Sequence, residues 1–291
     1  MSSDNIPLRH PDDDLAADEP AKPLKLRRAG AQTGEAGSKE RMESLQSTLG
    51  PSVCRQLAIY PIPDSFLLSA IVPIYNEANT LQQVVDKIRE TGIPTEIILI
   101  DDGSDDGTSA VLDRLRDDPD IKIASHVVNQ GKGAALRTGF TVATGDVVVV
   151  QDADLEYDPD DYMRLLQPIL EGRADVVYGS RFSGPDRRVS RFWHEIGNRL
   201  ITYLSNLSTN LMLSDVETCY KMFRRQMIET VGPTLNERGF GIELEMTAKL
   251  ARLKGIRFHE LPIRYRGRSY AEGKKINWRD GFRALWCIMR Y

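Results

Sequence analysis

Four consecutive valines, Val147 to Val150, run directly into Gln151-Asp152-Ala153-Asp154-Leu155-Glu156, and this stretch limits the possible folds more than any other. A strand turns successive side chains to opposite faces, so an unbroken apolar run needs cover on both. That places the strand inside a mainly parallel sheet with helices on either side. Open sheets of this kind bind ligands outside the carboxyl ends of their strands. Asp152 and Asp154, two residues apart at such an end and followed by Glu156, are hard oxygen donors suited to Mg2+ or Mn2+ held on a phosphate. An acidic turn alone is a weak signal; the rest of the chain strengthens it.

The pattern around the valines repeats. Phe66 to Pro73 reads as a buried first strand ending in Ile74-Tyr75-Asn76-Glu77. Leu81, Val84, Val85 and Ile88 then mark one face of a helix, which Gly92 and Pro94 stop. A second strand, Glu96 to Ile100, runs into Asp101-Asp102-Gly103-Ser104, and Val111, Leu112 and Leu115 mark the next helix. Ile121 to Ile123 begins a third strand, leading to Asn129-Gln130-Gly131-Lys132-Gly133 and a helix over 134–143. Strands alternating with helices at short spacing predict a doubly wound α/β sheet.

After the valine strand, Asp158-Pro159 opens a helix carrying Leu165, Leu166, Ile169 and Leu170, and the strand Asp175 to Gly179 delivers Ser180 and Arg181. A basic loop (Arg187, Arg188, Arg191), an amphipathic helix over 192–208, a strand-like Cys219 to Phe223, a helix over 241–254 and a strand from Arg257 to Pro262 follow. The expected division is a disordered polar tail over 1–50, one α/β domain over 66–270, and a basic amphipathic helix over 271–291.

Composition sets outer bounds. A net charge of −4 over 291 residues gives no global attraction to nucleic acid, and no nucleic-acid motif is present. Three widely spaced cysteines fit free thiols in a reducing compartment. No apolar run approaches the roughly 20 residues that cross a bilayer, and the N-terminus lacks the apolar core of a secretory signal. The expectation is a cytoplasmic protein, with a peripheral place on the cytoplasmic membrane face as the alternative.

Each early strand end suits part of a nucleotide-sugar. Asp101 and Asp102 could accept hydrogen bonds from ribose hydroxyls or a base N–H, although Asp-Asp-Gly-Ser by itself is an ordinary turn. Gly131-Lys132-Gly133 opening a helix offers backbone N–H groups and one ammonium to a phosphate. Neither the Walker A spacing nor the Gly-x-Gly-x-x-Gly fingerprint occurs, so an ATPase or NAD enzyme is not supported.

Taken together, Pro73-Ile74-Tyr75-Asn76-Glu77, Asp101-Asp102-Gly103-Ser104, Gly131-Lys132-Gly133, Asp152-Ala153-Asp154 and Gly179-Ser180-Arg181 resemble, in order and spacing, the family 2 glycosyltransferases of the GT-A fold. Asp215 to Lys221 and Gly239-Phe240-Gly241-Ile242-Glu243 carry the resemblance further, toward the dolichyl- and polyprenyl-phosphate mannosyl and glucosyl synthases. The resemblance implies that Pro73, Tyr75, Glu77, Asp102 and Lys132 line the nucleotide. Asp152 and Asp154, with Glu156, would hold the metal on the donor diphosphate. Arg181 and a helix arginine, Arg199, would grip the acceptor phosphate, a role that suits the guanidinium fork. Asp215, Glu217 and Glu243 are the candidates for a general base.

The implied reaction is inverting transfer of one hexose from a nucleotide-sugar to a polyprenyl phosphate, on a membrane surface or with a membrane subunit. The Gln-x-x-Arg-Trp of the processive synthases is absent, which argues against polymerisation. Two other readings stay open: a glycosyltransferase with a soluble hydroxyl acceptor, and a catalytically silent nucleotide-sugar-binding or membrane-recruited interaction protein. The segment Trp278 to Tyr291 and the basic residues Arg264, Arg266, Arg268, Lys274 and Lys275 could meet a lipid headgroup layer.

Overall fold

The computed structural model describes residues 44–184, 192–268 and 278–291. The expected disordered tail therefore lies outside the described residues up to position 43, while 44–49 are helical. Arg187, Arg188, Arg191, Lys274 and Lys275 also lie outside them.

Seven strands form one sheet in the order β3-β2-β1-β4-β6-β5-β7. They are β1 (Leu68–Ile74), β2 (Thr95–Asp101), β3 (Ile121–Ser125), β4 (Val147–Val150), β5 (Val176–Ser180), β6 (Lys221–Arg224) and β7 (Phe258–Pro262). β1 lies parallel between β2 and β4, with Ile71 opposite both Ile98 and Val150. The valine strand is buried at every position, as a strand covered on both faces requires.

β6 is the exception to parallel order. It runs antiparallel to both β4 and β5, pairing Met222 with Val149 and with Val177. Apolar content did not reveal this direction, because a strand buried on both faces reads alike either way. The reversal has a consequence for the site: the loop entering β6 returns to the edge where β1, β2, β4 and β5 end.

The helices are α1 (Pro51–Gln56), α2 (Leu81–Glu90), α3 (Thr108–Leu115), α4 (Lys132–Val142), α5 (Tyr162–Leu170), α6 (Phe192–Thr209), α7 (Arg225–Val231), α8 (Ile242–Ala251) and α9 (Trp278–Arg290). One core joins α2, α3 and α5 to one sheet face through Leu81, Val85, Leu112, Leu165 and Ile169. The other joins α4, α7 and α8 to the opposite face through Leu136, Ile228, Ile242 and Leu250. Asp158 caps a short 3-10 turn, Pro159–Asp161, before α5 rather than α5 itself. α7 was not foreseen; it is a short helix directly joined to β6 with little periodicity to read.

α4 lies unusually close to β1. A Cβ at Gly139 would come within 2.3 Å of Ile71 Cγ2. Gly139→Ala is expected to cost about 1–3 kcal/mol of stability despite the helix preference of alanine, a loss that denaturant unfolding would register.

Candidate active site

The carboxyl edge of the sheet gathers the polar side chains. β2 ends in Asp101, and the next residue, Asp102, is buried. The Asp102 carboxylate accepts the N–H groups of Gln130 (2.9 Å) and Gly131 (2.7 Å), and His126 Nδ1 lies 2.6 Å away. His126 Nε2 lies 2.9 Å from Thr138 Oγ1 on α4. Asp102 thus holds the 126–131 loop from within and sets the start of α4, which delivers Lys132.

The glycines beside Lys132 serve a close approach. Gly131 has φ +95°, and a Cβ there would meet the Arg238 carbonyl oxygen at 2.4 Å; a Cβ at Gly133 would meet that of Glu237 at the same distance. The N–H of Ala134 also reaches the Arg238 carbonyl at 3.2 Å. The start of α4 is therefore locked to the segment that leads into α8 and Glu243.

After β4 the chain turns around Gln151. This buried amide donates to the carbonyls of Asp152 and Tyr157, both at 3.2 Å, and accepts the Tyr162 hydroxyl at 3.1 Å. Leu155 takes φ +62°, a left-handed conformation costly for a side chain of this type. Such strain between two acids requires support from neighbouring structure. Asp154 accepts the Glu156 N–H at 3.0 Å, and burial, then the charges of Asp152 and Glu156, push its carboxyl well above the usual carboxylate range.

Glu156 has other commitments. Its carboxylate accepts the Tyr265 hydroxyl at 2.7 Å and the Arg268 N–H at 2.6 Å, and its carbonyl accepts the Arg266 N–H at 2.9 Å. Arg268 in turn places a bidentate fork on Glu77 at 3.0 and 2.9 Å. Glu77, expected at the nucleotide, is thus buried and engaged by Arg268, while Pro73 within β1 and Tyr75 just past its end are half-buried. Arg264, more than half exposed, pairs with Asp160 at 2.9 Å.

On the other side, Arg181 follows β5. Its N–H, Nε and Nη2 all donate to Asp215, at 3.0, 2.7 and 2.7 Å. Asp215 is wholly buried, and its own N–H donates to Glu260 at 3.1 Å. Burial opposes charge on Arg181, but Asp215 holds the guanidinium firmly protonated. The guanidinium carbon sits 5.3 Å from the Tyr265 ring centre, so Tyr265 bridges the acidic turn and Arg181. Tyr157, stacked on Tyr220 at 5.1 Å, completes this aromatic floor.

The three base candidates separate. Asp215 gives both oxygens to Arg181. Glu243 receives Lys221 Nζ at 2.5 Å on Oε2, while Lys132 Nζ lies 3.7 Å from Oε1. Glu217 is half-buried, and no described side chain donates a hydrogen bond to it. Burial above all pushes its carboxyl to about 7, with Arg181 and Lys221 opposing and Asp215 and Glu243 adding to the rise. Arg199 is not brought to this edge by any described contact: it is exposed on α6 and pairs with Glu195 at 2.6 Å.

The donor set around Asp152 and Asp154 suits a hard divalent cation. Two crowded carboxylates at a strand end favour added positive charge, which the upward push on Asp154 registers. No cage of three or more candidate side chains occurs among the described residues. An ion such as Mg2+, commonly held by one or two carboxylates plus substrate phosphates, matches that arrangement.

Comparison with known proteins fixes the class. The family profile described as Glycosyl transferase family 2 matches residues 69–232, more than half of the chain. The chain belongs to this family and is a glycosyltransferase. It is 30% identical over 213 residues to the undecaprenyl-phosphate mannosyltransferase of Micrococcus luteus, covering 70% of this chain and 85% of that protein. It is also 30% identical over 176 residues to the undecaprenyl-phosphate 4-deoxy-4-formamido-L-arabinose transferase of Pectobacterium carotovorum, of which it spans about half (52%). Among solved structures, it matches glucosyl-3-phosphoglycerate synthase of Mycobacterium tuberculosis, in complex with Mn2+, uridine diphosphate and phosphoglyceric acid. That match has a TM-score of 0.58 at 20% identity, covering 91% and 86% of the two chains, and confirms the GT-A architecture.

Several site residues were not legible beforehand. Gln151, Tyr157 and His126 act through the loops they fold, and Tyr265 and Arg268 reach the acidic turn from over a hundred residues away. No local pattern marks such partners. The short isolated bridge between Tyr157 and Tyr265 shows how the return is made.

Proposed function

We propose that this glycosyltransferase moves a single hexose, mannose or glucose, from a GDP- or UDP-linked donor to a polyprenyl phosphate, inverting the anomeric carbon. The observation that carries the reading is the pairing of two opposed charge environments across Tyr265. Its hydroxyl donates to Glu156, on the turn that carries Asp152 and Asp154, and its ring lies against Arg181, which is forked on Asp215. The names of the two relatives support the acceptor class.

Asp152 and Asp154 would hold Mg2+ or Mn2+, which would supply positive charge against the negative charge developing on the departing nucleoside diphosphate. The rest falls to the chain. Lys132, at the start of α4 and bonded to Asp152 at 2.6 Å, adds a positive charge beside the proposed diphosphate site. Asp215 fixes the plane of Arg181, whose remaining donors can meet a phosphate. Glu77 and Glu156 tie the 265–268 segment to the acidic turn through Tyr265 and Arg268.

A peripheral place on the cytoplasmic membrane face is part of this proposal. No helix among the described residues is long and apolar enough to cross a membrane. α6 exposes Phe192, Ile196, Leu200, Tyr203 and Leu207 at helical spacing. α9 packs on α6 and exposes Phe282 and Met289. Arg283 and Arg290 lie over Trp286 at 5.0 and 4.7 Å, a mixture suited to a headgroup layer.

The test supplies purified protein with Mn2+, labelled GDP-mannose or UDP-glucose in separate reactions, and polyprenyl phosphate in detergent. Label entering the organic phase supports the proposal and names the donor. Donor turnover that never labels lipid refutes the acceptor.

Glu217 gives a second reading its one foothold, since a carboxyl titrating near neutrality could serve as base for a hydroxyl acceptor. A lipid phosphate is already ionised and has little need of one. With a lipid phosphate, Glu217→Gln should lower kcat less than about tenfold, whereas a base acting on a hydroxyl contributes about 10²–10⁴-fold.

The same residue makes stability depend on pH. The folded chain keeps the Glu217 proton up to about 7, against a reference value of 4.5. The unfolded chain releases it earlier, so this group lowers stability progressively as pH rises between those values. Glu217→Gln removes that burden, and the variant should gain about 1–3 kcal/mol over the parent at pH 8 and little at pH 4. Denaturant unfolding at the two pH values checks it.

A further inference from the structure

Glu243 has a feature that neither a base nor a simple counter-ion explains. Its Oε2 takes the Lys221 ammonium, which also donates to the carbonyls of Val216 and Thr218, but its Oε1 is buried without a hydrogen bond. A buried carboxylate oxygen left unpaired is costly. Besides Lys221, the ammonium that approaches it is that of Lys132, whose Nζ stands 3.7 Å away while bonding Asp152 Oδ1 at 2.6 Å. The four groups form a line of alternating charge: Asp152, Lys132, Glu243, Lys221.

The backbone keeps that line in register. Gly131 and Gly133 press the start of α4 against the 237–239 segment, which leads directly into α8 and Glu243. The Lys132 side chain, 10% exposed, lies between the carboxylates of Asp152 and Glu243. Lys132 therefore has two carboxylate partners, one engaged and one waiting. A divalent cation on Asp152 would stand beside the ammonium now bonded there, and like charges at such range repel.

We infer that Lys132 is a stand-in cation that neutralises Asp152 in the unloaded enzyme and is handed to Glu243 Oε1 when a divalent ion takes Asp152. Glu243 is a positioning residue in this scheme and touches neither substrate. Lys221 fixes the receiving carboxylate in place. The handover keeps the buried charges matched in both states and frees Asp152 without exposing a lone ammonium. It rests on the proposal that Asp152 and Asp154 bind the metal.

Mn2+ binding to the full chain, read by electron paramagnetic resonance with and without UDP or GDP, tests it without reference to turnover. Lys132→Met removes the competitor and should tighten Mn2+ binding without nucleotide by about tenfold. Glu243→Gln removes the receiving charge and should weaken it by about tenfold, but only while Lys132 is present. In the double variant the effect of Glu243→Gln should vanish, the signature of direct coupling. Equal weakening in both backgrounds would reduce Glu243 to a scaffold residue and overturn the handover. Unchanged or weaker Mn2+ binding in Lys132→Met would overturn it as well, even if Glu243→Gln does not fold. Absence of Mn2+ binding to the parent chain, even with both nucleotides, would instead overturn the metal assignment and the handover with it.

Discussion

Asp154→Asn is expected to lower kcat by at least about 10³-fold while leaving the fold intact. The substitution keeps the shape and the oxygen that accepts the Glu156 N–H but removes the charge that a divalent ion requires. Its effect should fall on kcat, because charge on the leaving diphosphate grows toward the transition state. Stability should hold or rise, since the carboxyl is crowded by burial and by the charges of Asp152 and Glu156. Turnover with saturating Mn2+, set beside a denaturant curve, separates these effects. A variant retaining a tenth of the parent rate would exclude Asp154 as an essential metal ligand.

Asp215→Asn should damage both stability and activity. The carboxylate is wholly buried and carries three donors from Arg181, so its loss leaves a guanidinium with little solvent and without its bonded counter-charge. Breaking one side of such a pair costs about 3–5 kcal/mol. The freed arginine also loses its fixed plane, so KM for the phosphate acceptor should rise while donor affinity changes little. Removing Arg181 together with Asp215, as a methionine–leucine pair, should recover part of the stability and none of the activity. That contrast distinguishes an acceptor-gripping arginine from a purely structural ion pair.

The proposed donor half of the edge was readable in position because its signals are local. The valine strand, Asp152 and Asp154, and the Gly-Lys-Gly start of α4 each lie within about ten residues of the strand that places them, and burial followed the apolar pattern at Leu81, Val84, Val85 and Ile88. Roles were harder to read than positions. Asp102 looked like a ribose acceptor, yet its oxygens take the N–H groups of Gln130 and Gly131. Asp215 and Glu243 looked alike as acids, and only their partners, Arg181 and Lys221, distinguish them from Glu217. Strand direction at β6 was hidden for a different reason: two-sided burial erases the alternation that pattern reading relies on.

That reversed strand divides the gene as well as the sheet. Residues 68–154 supply the proposed donor side in one continuous run, whereas residues 180–243 leave β5 at the same edge and enter the reversed β6 from it. On the proposed reading the two substrates are addressed by separate stretches of sequence, joined through the pairing of β4 with β6, the Ala134 N–H on the Arg238 carbonyl and the approach of Lys132 to Glu243. On that proposal, selection for a new acceptor can change the second stretch, away from its contacts with the first, while the first keeps its nucleotide side.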